Sequence, residues 1–173
     1  MKIGLFYGST TCYTEMAAEK IQQLYGEENV DLHNIKDTPL SQCKDYDFLI
    51  FGISTWDYGE LQEDWESHWQ DIADIDVSSK IIALYGMGDQ IGYPEWFQDA
   101  LGMLHDELAP QSPLFIGQWP NEGYEFTTSK ALTSDKKHFV GLSLDEDNQY
   151  NMSDDRINLW VKQLQQEIND IFS

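Results

Sequence analysis

Three apolar runs stand out along the first half of the chain: Ile3-Gly4-Leu5-Phe6-Tyr7, Phe48-Leu49-Ile50-Phe51 and Ile81-Ile82-Ala83-Leu84-Tyr85. Each ends at a glycine. Runs of this length without a polar position suit strands covered on both faces, the condition of a parallel sheet. Val30-Asp31-Leu32-His33-Asn34-Ile35 alternates instead, as a strand at a sheet edge does. Between the runs the spacing turns helical. Ala17, Ile21 and Leu24 share one helical face, and Trp96, Phe97, Leu101 and Leu104 share another. The last stretch is the most regular, with Ile157, Trp160, Val161, Leu164, Ile168 and Ile171 on one side. Ser153 is its expected cap, and Asp154 and Asp155 favour the positive end of its dipole. Strands alternating with helices predict an α/β fold with an open, doubly wound parallel sheet and helices on both faces. The stretch Trp119 to His138 follows neither period and lies between Leu114-Phe115-Ile116 and Phe139-Val140-Gly141-Leu142. It reads as a long insertion that splits the last strand. With no linker, repeat or break in composition, residues 1–173 read as a single domain.

Charge narrows the possible partners. Lys+Arg number 10 and Asp+Glu 31, a net charge of −21 spread over the whole chain. Such a chain is repelled by phosphate backbones and by acidic lipid surfaces, which argues against nucleic acid and membrane binding. Disorder is a poor reading too, because 6 Trp, 9 Tyr and 8 Phe supply a core that acid-rich disordered chains lack. No apolar run approaches the ~20 residues of a membrane span, and the start has no signal-peptide character. Cys12 and Cys43 form neither a disulfide framework nor a metal spacing. The expected location is cytoplasmic.

In an open α/β sheet, ligands bind beyond the carboxyl ends of the strands, where the winding reverses. Three loops fall at that edge. Gly8-Ser9-Thr10-Thr11-Cys12-Tyr13-Thr14-Glu15 sets hydroxyls around a helix start, where free N–H groups and the dipole favour an anion. An ordinary Ser/Thr cap is the simpler reading of that loop alone. It has no GxGxxG, no triphosphate-loop pattern and no nearby cation, so it suits one monophosphate ester. Ser54-Thr55-Trp56-Asp57-Tyr58-Gly59-Glu60 places two aromatics in a polar loop, which belong either to the core or against a planar ring. Gly86-Met87-Gly88-Asp89-Gln90-Ile91-Gly92-Tyr93 permits close backbone approach and offers a further ring. Together the three suggest a ligand with one phosphate and a flat ring, the shape of flavin mononucleotide (FMN).

The segments GLFYGSTTCYTE (4–15), STWDYGELQEDW (54–65), YGMGDQIGY (85–93), GYEF (123–126) and GLSLDEDNQY (141–150) closely resemble a long-chain flavodoxin. The resemblance spans essentially the whole chain, and the Trp119–His138 insertion matches the long-chain feature. Cys12-Tyr13 is most like the second-flavodoxin branch of enteric-type bacteria. The family is itself a standard example of a five-stranded sheet of order 2-1-3-4-5 with flavin at the switch point, so that order comes from the resemblance. The resemblance implies that Ser9, Thr10, Thr11, Cys12, Tyr13 and Thr14 surround the phosphate of FMN. Trp56 and Tyr93 would sandwich the isoalloxazine ring, with Thr55, Asp57, Tyr58 and Gly59 along its edge. Met87, Gly88, Asp89 and Gln98 would approach the ring or ribityl chain, and Asp147 would lie near the ribityl hydroxyls. The Asp57–Tyr58 peptide carbonyl would accept from flavin N5–H after one electron has been taken up. The phosphate loop departs from the family's usual T-G-N-T, having Thr11-Cys12-Tyr13-Thr14, and Asp57 puts a carboxylate where relatives often have an uncharged side chain.

The resemblance thus implies a low-potential one-electron carrier and not an enzyme with its own substrate. No Ser/His/Asp set occurs, and His33, His68, His105 and His138 are scattered. The alternative on the same fold is an FMN-dependent NAD(P)H:quinone or azo reductase, which would need a nicotinamide pocket over a ring that Trp56 and Tyr93 already cover. A phosphoacceptor receiver domain would need an acidic pair where Ser9 and Thr10 stand. Asp57, Glu60, Glu63, Asp64, Glu66, Asp71, Asp74 and Asp76 form a run without Lys or Arg. That run is either a solvated face or a surface steering basic redox partners. The family implies an NADPH-dependent flavodoxin reductase as donor, and a monomeric carrier.

Overall fold

The computed structural model describes all residues, Met1–Ser173. Strands β1 (Ile3–Tyr7), β2 (Val30–Asn34), β3 (Phe48–Trp56), β4 (Glu60–Leu61), β5 (Ile81–Met87), β6 (Leu114–Ile116), β7 (Trp119–Pro120), β8 (His138–Phe139) and β9 (Leu142–Leu144) alternate with four helices: α1 (Tyr13–Tyr25), α2 (Glu63–Ser67), α3 (Asp99–Leu108) and α4 (Glu146–Phe172). The main sheet runs β2-β1-β3-β5-β6, parallel throughout. Strand β9 pairs with β5 beyond β6, so Ile81–Ala83 meet β6 while Tyr85–Met87 meet β9. The fifth strand position is therefore filled by two pieces, with the insertion between them. This is the expected order 2-1-3-4-5 once the short β4 hairpin is set aside.

Alternate side chains of each central strand go to opposite faces. Leu5, Ile50, Ala83 and Tyr85 pack with Ala17, Ala18 and Ile21 of α1 and Ile157, Trp160, Val161 and Leu164 of α4. Phe6, Leu49, Phe51, Ile82 and Leu84 pack on the other side with Trp65 of α2 and Ala100, Leu101, Leu104 and Leu108 of α3. Two buried faces explain why the runs carry no polar alternation. Strand β2 lies at the edge and is half-buried beyond Val30, as its alternation implies.

Some details differ from the expectations. Phe139 is not in the main sheet; it pairs antiparallel with Trp119 in a small β7-β8 ribbon, and the sheet resumes only at Leu142. Ser153 does not cap the last helix. Asp145 does, accepting from the Asn148 N–H at 3.0 Å, and α4 runs on through a kink at Gln149. Leu24 and Ile171 lie exposed at helix ends, outside the core.

Candidate functional site

The winding reverses between β1 and β3, so the loops after these strands and after β5 converge on one edge. After β1 the Gly8 N–H donates to the Gly52 carbonyl, and a Cβ at Gly8 would collide with Gln62 and Trp65. Only glycine lets the chain pass so close to these two side chains. Cys12 then takes a left-handed conformation (φ 69°) at the N-cap of α1 without a side-chain cap. The backbone N–H groups from Thr10 to Glu15 have no acceptor within the protein; the first intrahelical bond is Met16 N–H to Cys12 O. The Ser9 Oγ is buried without a partner. A helix start left this way is an anion cradle of oriented dipoles.

Strand β3 carries Thr55 and Trp56 to the edge and turns through Asp57 (φ 43°), Tyr58 and Gly59 (φ 85°) into β4, pairing Trp56 with Glu60. The Trp56 indole N–H donates to Ser54 Oγ at 3.1 Å, and Thr55 Oγ1 accepts from the Ala100 N–H at the start of α3. After β5, Asp89 accepts from the Ile91 and Gly92 N–H groups and from the Asn148 side chain, closing the turn that presents Tyr93. Tyr58 stands edge-on to both Tyr93 (5.8 Å) and Trp96 (5.1 Å), bracing the loops against each other.

These loops enclose a cleft of about 290 Å³ lined by Thr11, Tyr13, Thr14, Thr55, Trp56, Asp57, Met87, Gly88, Asp89, Tyr93 and Asp147, all expected site residues. Ser9, Thr10 and Cys12 belong to the loop at one end without lining the cleft, and Tyr58, which is exposed, and Gly59 do not line it either. Gln98 is the misplaced expectation. It is wholly buried beneath the strand ends, its side-chain amide donating to the Gly86 and Leu144 carbonyls, and it braces β5 against β9 without reaching the cleft. Ser54 and Glu146 also line the cleft, beyond the expected contact residues. Ser54 is the first residue of a loop already singled out, and Glu146 belongs to the acidic run 145–147, so position in the pattern is the available signal for both.

No Lys or Arg lines the cleft, whereas Asp57, Asp89, Glu146 and Asp147 do. Burial, then the charges of Asp89 and Asp145, push the Asp147 carboxyl above its usual range. The Asp57 carboxylate, as acceptor and as charge, pushes the Tyr93 phenol upward. The arrangement pairs a donor-rich end that attracts an anion with an aromatic, acid-rimmed end that takes a flat uncharged ring.

A family model described as Flavodoxin matches residues 5–160. The chain is 57% identical over 173 residues to Flavodoxin 2 of Salmonella typhi and 56% identical to Flavodoxin 2 of Escherichia coli, covering 100% of both chains in each case. The crystal structure of Fusobacterium nucleatum flavodoxin bound to flavin mononucleotide superposes with a TM-score of 0.89 at 25% identity, covering 96% of this chain and 98% of that one.

Proposed function

The chain belongs to the flavodoxin family, and from that premise we propose how this electron carrier holds and tunes its FMN. FMN supplies one-electron chemistry; the protein supplies binding, shielding and charge. The unpaired N–H groups from Thr10 to Glu15, beside the orphaned Ser9 hydroxyl, carry the assignment of the phosphate to this loop. With no cation at hand, these donors, the hydroxyls of Thr10, Thr11 and Thr14, and the α1 dipole hold the dianion. Cys12 and Tyr13 shape the loop's rim. Trp56 and Tyr93 cover the ring, Thr55, Asp57, Tyr58 and Gly59 form its edge, and Met87, Gly88, Asp89 and Asp147 face the ribityl chain and ring. Residues 1–173 act as a single FMN-binding domain.

Aromatic cover excludes water, which disfavours charge on the reduced ring. The acids add repulsion. One charge ~10 Å from the ring costs ~0.4 kcal/mol at the dielectric constant of water and ~1.7 kcal/mol at an effective value of ~20. That corresponds to roughly 20–70 mV of lowered potential per acid. Asp57, Asp89, Glu146 and Asp147 together make the carrier a low-potential one.

An electron carrier works through redox partners. Here these are basic proteins, with an NADPH-dependent flavodoxin reductase as donor, drawn by the acids from Asp57 to Asp76, nearly all of them solvent-exposed. The working form is a cytoplasmic monomer. No helix is long and apolar enough to cross a membrane.

The purified protein should show a flavin spectrum, release FMN and not FAD on acid treatment, and regain the spectrum when the apoprotein meets FMN. Trp56→Ala and Tyr93→Ala should each weaken FMN binding by about tenfold or more and raise the potential of the second electron step. Released FAD, or both variants binding and titrating as wild type, would overturn the assignment.

A further inference from the structure

We infer that Gln62 is a positioning residue for phosphate recognition, acting through the Thr10 hydroxyl; this rests on the assignment of the phosphate to the Thr10–Glu15 loop. Gln62 is wholly buried and lies far from that loop in sequence, just after β4. Its Oε1 accepts from the Asp64 N–H at 3.2 Å and the Trp65 N–H at 3.3 Å, capping α2. Its Nε2 donates to Thr10 Oγ1 at 3.0 Å and to Asp64 Oδ2 at 2.9 Å. Both amide hydrogens and both oxygen lone pairs are used. Two backbone donors fix the oxygen on one side, so the amide has a single orientation and always presents N–H to Thr10.

That orientation decides the direction of the Thr10 hydroxyl. Its oxygen receives a hydrogen from Gln62, so its own hydrogen turns elsewhere, and no group in the protein accepts it. The loop in which it stands already offers the unpaired N–H groups of Thr10 to Glu15. Gln62 thereby fills one lone pair of the Thr10 hydroxyl and turns its hydrogen outward, the polarity an anion requires. Gly8 completes the device, since a side chain there would displace the Gln62 amide.

Gln62→Glu tests this. The carboxyl group still caps α2 through one oxygen, but it carries at most one hydrogen where the amide has two. Any such hydrogen is taken by Asp64, so none is left for Thr10, and the Thr10 hydroxyl turns inward to donate to the new oxygen. We expect the FMN dissociation constant to rise about tenfold, the scale of one hydrogen bond to a charged group, while riboflavin, which has no phosphate, binds within about twofold of wild type. Thr10→Val should lose FMN similarly, Thr10→Ser should restore it, and Gln62→Glu should add little in a Thr10→Val background.

If Thr10→Val discriminates against FMN and Gln62→Glu does not, Gln62 is only a cap for α2. If the Gln62→Glu loss persists in full in Thr10→Val, it comes from charge and the inference fails. Equal losses of FMN and riboflavin in Gln62→Glu, with Thr10→Val still selective, would show deformation and also overturn it. If neither variant separates FMN from riboflavin, the phosphate assignment itself is what fails.

Discussion

Helix α1 starts at Cys12 with no side chain on its free N–H groups, whereas α4 starts at Asp145, whose buried carboxylate accepts from the Asn148 N–H and from the backbone and side-chain amides of Gln90. Both helix starts face the same cleft region. The first is open and carries hydroxyls; the second is closed by its own acid and flanked by Glu146 and Asp147. A helix that bonds its own cap has spent the donors that an anion would need, and one that leaves them free depends on a ligand or water to satisfy them. The contrast gives the cleft a direction: its α1 end favours an anion and its α4 end disfavours one.

Opening the closed end should have the largest effect. Asp145→Ala strips Gln90 and Asn148 of their acceptor, and urea denaturation of the apoprotein should show a loss of about 2–4 kcal/mol. A loss below ~1 kcal/mol would mean that the cap is decorative. Closing the open end should do less to stability and more to binding. Cys12→Asp places a carboxylate on the α1 dipole, so the apoprotein should gain about 0.5 kcal/mol while FMN affinity falls about tenfold and riboflavin affinity holds. Riboflavin lost in equal measure would mean the loop had been distorted.

The smallest effect lies in the acids beside α4. Asp147 is exposed at the surface, yet partial desolvation in the cleft, then the charges of Asp89 and Asp145, hold its folded-state pKa above the unfolded value. A raised carboxyl costs stability once both states are ionised, and costs nothing below the unfolded pKa. Asp147→Asn should therefore stabilise the apoprotein at neutral pH by a few tenths of a kcal/mol, the size expected for an exposed group. The gain should fade as pH drops through the raised pKa and vanish below about 4.

The sheet was legible because burial on both faces removes polar positions from Ile3–Tyr7, Phe48–Phe51 and Ile81–Tyr85, and such runs have few other meanings. Three loops at one edge, with hydroxyls before a helix and rings in polar loops, brought out most of the cleft lining. Other features were not legible, for physical reasons. The 3.6-residue period stops at Ser153 and points to a cap there; the non-helical Gln149 breaks the phase, so Asp145 lies beyond the reach of periodicity. Gln98 sits among candidate residues in sequence but spends both amide hydrogens on strand carbonyls, a choice made only in three dimensions. Gln62 bonds to Thr10 across the sheet edge, and no local pattern carries a contact between such distant positions.

Helix α4 covers helix α1, and Lys20 meets Asp154 across that seam at 2.5 Å. These partners stand near opposite ends of the chain. Loop-closure entropy grows only with the logarithm of length, so the seam costs little in final stability; it acts on the rate, because so long a loop must close before the contact rewards it. During synthesis α1 is made well before α4, so Ala17, Ala18 and Ile21 await the helix that covers them. The loop at the start of α1 is thus made before the helix that covers α1, and its support is complete only once α4 has packed.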